Sequence, residues 1–177
     1  ASAVFPNNPF RICCLDLSGP WIVLKSKTGK DTRTNTNQTK VYVAVFGCLY
    51  SRMTHLEVIE DKKTESIIGA LTKLSCIYGP PSCVTVDQDA AEIQALRDSE
   101  FVTELDGKLY YHNGIKYTVV PVGCHARNGA AEIRVQAAKR LLGTMNLTSC
   151  EITALDLEIM VYQAANIINS TPLGSMQ

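Results

Sequence analysis

Arg11-Ile12-Cys13-Cys14-Leu15-Asp16-Leu17-Ser18-Gly19-Pro20 sets one carboxylate inside an apolar run that breaks at Gly-Pro. The run reads as a buried strand with Asp16 at or near its end. An ionised carboxylate among apolar neighbours is costly unless something compensates it. A cation is the obvious compensator, so the flanking sequence is read for what could meet Asp16.

Downstream, Trp21-Ile-Val-Leu24 still looks extended. Residues 25–40, KSKTGKDTRTNTNQTK, have no apolar period and form a polar loop or a hairpin tip. Their bases Lys25, Lys27, Lys30, Arg33 and Lys40 are either solvated or phosphate contacts. Val41 to Leu49 is β-branched and aromatic, as in a central strand. Thr54 to Ile59 alternates and completes a three-strand meander, with His55 and Glu57 on one face, where they can simply pair. Ile67, Ile68, Leu71, Leu74 and Tyr78 follow at helical spacing, and Gly79-Pro80-Pro81 stops that helix. Cys83 to Val86 is a short strand ending on Asp87. Strand, helix, strand suggests a crossover to a parallel neighbour, and open α/β sheets place their sites at such strand ends.

Residues 89–105 have a loose helical apolar set, and Leu109-Tyr-Tyr111 is a short extended piece. Tyr117 to Val120 is a fifth strand. A helix is expected from Gly129 to about Met145. Thr148-x-x-Glu151 has the pattern of a capping box and would open a last helix with Ile152, Leu155, Ile159 and Tyr162 on its apolar stripe. Three strands, helix, strand, helix, strand and two helices is the order of a ribonuclease-H-like α/β domain with a mixed five-stranded sheet flanked by helices. Order alone leaves other mixed α/β folds open.

Composition agrees with this class. The 177 residues suit a single domain over residues 1–177, with residues 1–10 a short lead-in. No apolar stretch approaches the ~20 residues of a membrane span, so no membrane partner is expected. The seven cysteines include no C-x-x-C pair and read as small core residues of a reducing, intracellular compartment. The formal net charge is zero, so affinity for a polyanion would have to come from a local patch or from neighbouring domains.

If the first and fourth strands are parallel neighbours, Asp16 and Asp87 rise at one sheet edge. A third carboxylate should come from a helix crossing that edge, and Glu132 is placed for it. Asn128, Glu132, Gln136 and Lys139 fall in one stripe, at steps of four, four and three. Ala130, Ile133, Ala137 and Leu141 would pack on the sheet. Arg134 falls near that packed side and would need an acid or the rim. The stripe is either an ordinary solvated face or a surface for nucleic acid. Three converging carboxylates suit oxygen-seeking Mg²⁺ or Mn²⁺, and two such ions ~3.5–4 Å apart can clamp a phosphodiester.

Together these residues resemble a family. Cys14-Leu-Asp-Leu-Ser-Gly-Pro20, Val41 to Leu49 with His55-Leu-Glu57, Val84-Thr-Val-Asp-Gln-Asp89, Asn128-Gly-Ala-Ala-Glu132 and Asn169-Ser-Thr-Pro-Leu173 look like the catalytic core of retrovirus-like integrases. Among these, the chain is most similar to integrases of BEL/Pao-type long-terminal-repeat retrotransposons. The resemblance implies an Asp16, Asp87, Glu132 triad, two Mg²⁺ or Mn²⁺ ions and no small-molecule cofactor. It implies 3′-end processing and strand transfer of element DNA into a target duplex, a homodimer within a larger synaptic assembly, and action in the nucleus. DNA contacts would fall to Asn128, Gln136, Lys139 and Arg140, with Lys25 and Lys27 as further bases. The chain departs from the family where Gln88-Asp89 replaces the usual Asn-Gly, which makes Asp89 a rival ligand. A ribonuclease-H-like nuclease, or a catalytically weak, domesticated binding or dimerisation module, would carry the same fold.

Overall fold

A computed structural model describes residues 9–25, 38–87, 103–105, 109–112, 115–120, 129–144 and 152–172. The strands are β1 (Ile12–Leu24), β2 (Gln38–Cys48), β3 (Thr54–Ile59), β4 (Cys83–Asp87), β5 (Thr103–Leu105), β6 (Leu109–His112) and β7 (Ile115–Val120). The described helices are α1 (Thr64–Tyr78), α2 (Gly129–Thr144) and α3 (Ala154–Ser170). One sheet takes the order β3-β2-β1-β4-β7-β6-β5. Its first five strands are the expected mixed sheet, in which β1, β4 and β7 run parallel and the β1-β2-β3 meander antiparallel. The short β6 and β5 extend it antiparallel beyond β7. Residues 103–105, expected to end a helix, are instead the β5 edge strand, because Leu105 and Thr103 pair with Leu109 and Tyr111.

The sheet is covered on both faces, which is why β2 reads as a continuous apolar run rather than an alternating one. On one face Phe10, Leu15, Phe46, Val84, Val86 and Tyr117 pack with Ile67, Leu71 and Leu74 of α1. On the other, Val23, Val43, Val45 and Leu56 pack with Val135, Ala138 and Leu142 of α2 and with Leu157, Val161 and Ile168 of α3. Cys13 and Cys48 are fully buried free thiols, as small core residues should be.

Gly-Pro does not end the first strand. β1 runs on to Leu24, and its register against β2 shifts between Ser18 and Trp21. Gly19 makes the shift possible: its φ is 120°, and a Cβ there would lie 3.1 Å from the Trp21 ring and 3.2 Å from both the Tyr42 ring and the Val41 carbonyl oxygen. The polar stretch is narrower than expected, since Gln38–Lys40 already belong to β2, with Gln38 opposite Leu24.

Helix α3 departs most from expectation. It begins at Ala154, and its capping box is Thr153 with Asp156: Asp156 N–H donates to Thr153 Oγ1 and Thr153 N–H to Asp156 Oδ2. The same pattern at Thr148 and Glu151 lies outside the described residues. The buried stripe is Leu157, Val161, Ala164, Ala165 and Ile168, while Leu155, Ile159 and Tyr162 are exposed by 64%, 48% and 42%. The helix is apolar on two stripes. The one with the alanines admits the closer approach to the sheet. At the far end Asn169 completes the exposed edge of β3. Its Oδ1 accepts from Thr54 N–H at 2.8 Å and its Nδ2 donates to Thr54 O at 2.9 Å.

Candidate active site

Strand pairing sets the geometry. β1 and β4 are parallel neighbours with Ile12 opposite Cys83, Cys13 opposite Val84 and Cys14 opposite Thr85. Carried two residues further, that register places Asp16 level with Asp87, the last residue of β4. Backbones of paired strands lie ~4.8 Å apart, and the two aspartates follow the last paired residues, Cys14 and Thr85, by two positions on each of these adjacent strands. Asp16 is not at a strand end. It sits inside β1, two residues beyond the last residue paired with β4, Cys14, and opposite Val45 of β2.

Alternation along β1 sends Leu15 to the α1 face, and Asp16 to the face that carries α2. There Lys139 Nζ of α2 lies 2.5 Å from Asp16 Oδ2. The Asp16 side chain is 39% exposed and that of Lys139 27%. The carboxylate is therefore half open to solvent rather than buried, and the cation that meets it is an ammonium. Glu132 precedes Lys139 by seven residues, 20° short of two full turns, so the two share one line of α2 about 10 Å long. Glu132 lies in the first turn of α2. Spacing alone could have suggested the Lys139 contact. If Glu132 faces a sheet edge, so does the residue two turns on.

The packed face of α2 differs from expectation. Arg134, Val135, Ala138 and Leu142 are buried, whereas Ile133 is 48% exposed. Ala137 and Leu141 are only partly covered. The polar stripe thus borders the packed face instead of opposing it, and Gln136 and Arg140 lie on the solvent side. Arg134 explains the rotation. Its Nη1 donates to Ile168 O and its Nη2 to Thr171 O at 3.2 Å, so its guanidinium caps the C-terminal carbonyls of α3 from within the interface. Among the described residues it meets these carbonyls rather than an acid, and it is buried rather than at the rim.

The remaining candidates separate. Lys25 follows β1 and is exposed. It lies nine residues beyond Asp16, past the irregularity at Ser18–Trp21 and the end of β1, at the other end of the strand from the level of Asp87. Lys40, in β2, is likewise exposed. Lys27, Lys30, Arg33, Asp89 and Asn128 lie outside the described residues.

His55 and Glu57 do pair. Nε2 of His55 is 3.0 Å from Glu57 Oε1, and both side chains are buried. An ionised carboxylate only accepts, so Nε2 carries the proton. Lys73 of α1 donates to Glu57 Oε2 at 3.3 Å, and the Tyr162 hydroxyl of α3 to Oε1 at 3.3 Å. One carboxylate thus joins α1, the edge strand β3 and α3. Burial pushes its pKa up, but the His55 hydrogen bond and the Lys73 charge outweigh burial and hold it below its ordinary value of 4.5. The Tyr162 hydroxyl is pushed up to about 12 by burial and by the Glu57 and Glu158 charges, so it remains a donor. A carboxyl with a depressed folded pKa stabilises the fold above its unfolded pKa, and that contribution is lost as pH falls through the folded value. The urea midpoint should therefore drop below pH 4.5 in the wild type. Glu57→Gln should be less stable at pH 7, by about 1–3 kcal/mol, and should lose that part of the pH dependence. A variant with an unchanged midpoint would show that the cluster contributes nothing.

No protein-family model matches the chain. No curated protein sequence matches it either. Solved structures do. The catalytic core domain of BIV integrase superposes with a TM-score of 0.52 at 12% identity, over 90% of this chain and 84% of that one. A chain from the structure of the simian T-cell lymphotropic virus intasome in complex with the PP2A regulatory subunit B56 gamma gives 0.52 at 11% identity, over 90% of this chain and 54% of that one. The HTLV-2 integrase catalytic core domain in complex with magnesium, in its dimeric form, gives 0.49 at 16% identity, over 90% and 86%. At these identities the likeness is one of fold. The chain has the ribonuclease-H-like fold of integrase catalytic cores, a mixed sheet with helices on both faces.

Proposed function

We propose that the chain is the catalytic core of a metal-dependent polynucleotidyl transferase, an integrase that processes the 3′ ends of element DNA and joins them to a target duplex. The observation that carries this reading is the β1–β4 register, which brings Asp16 level with Asp87 beneath the helix that carries Glu132. The donor set suits a hard divalent cation: oxygen donors only, with the Asp16 carboxylate half open to solvent. Asp16, Asp87 and Glu132 would hold Mg²⁺ or Mn²⁺. When bound, such ions lower the pKa of an attacking hydroxyl and stabilise a leaving 3′ oxygen.

The protein's own task is then placement. β1 and β4 fix two carboxylates on rigid strands, and α2 carries the third at its first turn. Gln136 and Arg140, exposed on the same helix, are offered to the DNA backbone, with Asn128, Lys25 and Lys27 as further contacts. The motif order from Asp16 to Pro172 favours a BEL/Pao-type element as the source, acting in the nucleus. Leu155, Ile159 and Tyr162 line one exposed apolar stripe on α3, which supports a homodimer as the unit that enters the synaptic assembly.

The reaction class is tested by incubating the chain with Mn²⁺, a labelled donor duplex and an unlabelled target duplex. Joined donor–target products are expected alongside 3′-nicked donor. Nicked products without any joined ones would replace the integrase reading with that of a ribonuclease-H-like nuclease. No cleavage at all would favour a binding or dimerisation module.

A further inference from the structure

Lys139 holds an oxygen of Asp16, the carboxylate proposed above as a metal ligand. Its ammonium is 2.5 Å from Asp16 Oδ2, and the pair is neither sealed in the core nor fully solvated, at 27% and 39% exposure. An ammonium and a divalent cation cannot both occupy that oxygen at that distance. Each would also raise the local potential against the other.

We propose that Lys139 is a resident counter-ion that holds the metal-free site and is displaced when a divalent cation loads, which frees its ammonium for a DNA phosphate at the same edge. This rests on the metal-dependent reading above. Three features of the chain support it. Asp16 lies on the face that α2 covers, with its side chain 39% exposed, so its charge is partly desolvated and an adjacent cation offsets part of that cost. Lysine is the suitable placeholder: it offers a point charge on a flexible four-carbon stem and makes no bidentate grip, so it can leave. And Lys139 lies on the Glu132 line of α2, so on release its ammonium stays beside the catalytic edge and need move by only a few side-chain rotations.

The consequence is a thermodynamic coupling. Whatever Lys139 contributes to holding Asp16 must be overcome by the metal. By linkage, metal loading strengthens any phosphate contact that needs a free Lys139, and a bound phosphate strengthens metal binding by the same factor. The protein would then prefer to load metal and DNA together.

The test is Mn²⁺ binding to the 177-residue chain, read from free Mn²⁺ by electron paramagnetic resonance without DNA or turnover. Lys139→Gln should bind Mn²⁺ about three- to tenfold more tightly than wild type, as loss of a half-exposed competing ion pair allows. Arg140→Gln removes a charge from the next, exposed position of α2 and should change affinity by less than about twofold, which separates the contact from a general charge effect. Asp16→Asn should abolish binding at this site. Equal affinities for wild type and Lys139→Gln, with binding still lost in Asp16→Asn, would overturn the counter-ion role and leave the metal site standing. Equal tightening in Lys139→Gln and Arg140→Gln would overturn it as well. Absence of Mn²⁺ binding in wild type and Lys139→Gln alike would overturn the metal reading and this inference with it.

Discussion

Asp16→Asn is expected to lower both 3′-end processing and strand transfer by on the order of 10³-fold or more, a barrier change of about 4 kcal/mol. Asn keeps the shape of Asp and can still hydrogen-bond, but it brings no negative charge to a divalent ion. A group that acts on charge in the transition state typically carries ~10²–10³-fold by itself, and a metal ligand carries the ion's share too. The fold should survive. Asp16 is 39% exposed and its ion pair with Lys139 is half open to water, so the change in unfolding free energy should stay within about 1 kcal/mol. The measurement is paired: joined product per unit time, and the urea midpoint of the same sample. Asp87→Asn and Glu132→Gln should behave alike. Full activity in Asp16→Asn would remove it from the chemistry. If Glu132→Gln keeps activity while Asp89→Asn loses it, the third carboxylate is the rival after β4 rather than the one on α2.

Arg134→Met is expected to have the largest effect on stability, a loss of about 2–4 kcal/mol. Arg134 is 8% exposed and gives two hydrogen bonds to the carbonyls that end α3. Hydrogen bonds to a charged group contribute ~1.5–3 kcal/mol each, and cutting them leaves Ile168 O to its Thr171 N–H donor at 3.2 Å and takes the guanidinium from Thr171 O. Met keeps much of the stem's volume, so the loss reports the guanidinium rather than a cavity. For a chain of this length that corresponds to a fall in Tm of about 5–15 °C. Arg134→Lys should recover only part of it, because one ammonium cannot span both carbonyls as a planar fork does. Unfolding of Arg134→Met at the wild-type temperature would show that the helix end is satisfied in some other way. The Asp16 experiment reads joined product and the Arg134 experiment reads stability, so the site and its frame have separate readouts.

Much of the frame was legible before any coordinates, because its signals are local. Val41 to Cys48 is apolar without alternation, short, and β-branched and aromatic, the pattern of a strand covered on both faces. Gly79 ends α1 where expected, and its N–H bonds Ser75 O. His55 and Glu57 were two apart on one strand and paired as the period of two requires. What the sequence did not reveal was which of two competing faces a helix would bury. α3 carries apolar residues on two stripes, so periodicity names both and selects neither. α2 carries a charged residue on its packed face, and hydropathy alone assigns it to the outside.

Asp16 shows the division most clearly. The residues around it determined by themselves that a carboxylate would lie in a strand next to a glycine break, since apolar runs, β-branching and turn chemistry are properties of adjacent residues. They also determined that Asp87 would close a strand, and that Glu132 and Lys139 would share a line of one helix. Tertiary structure alone decided that β1 and β4 pair in a register that sets two aspartates level, and that α2 crosses the sheet at the phase that puts Lys139 on Asp16. The physical reason is that register and helix rotation are fixed by contacts between residues far apart in the chain: here, the fit of Val135, Ala138 and Leu142 against the β1–β2–β3 face, and the grip of Arg134 on the end of α3.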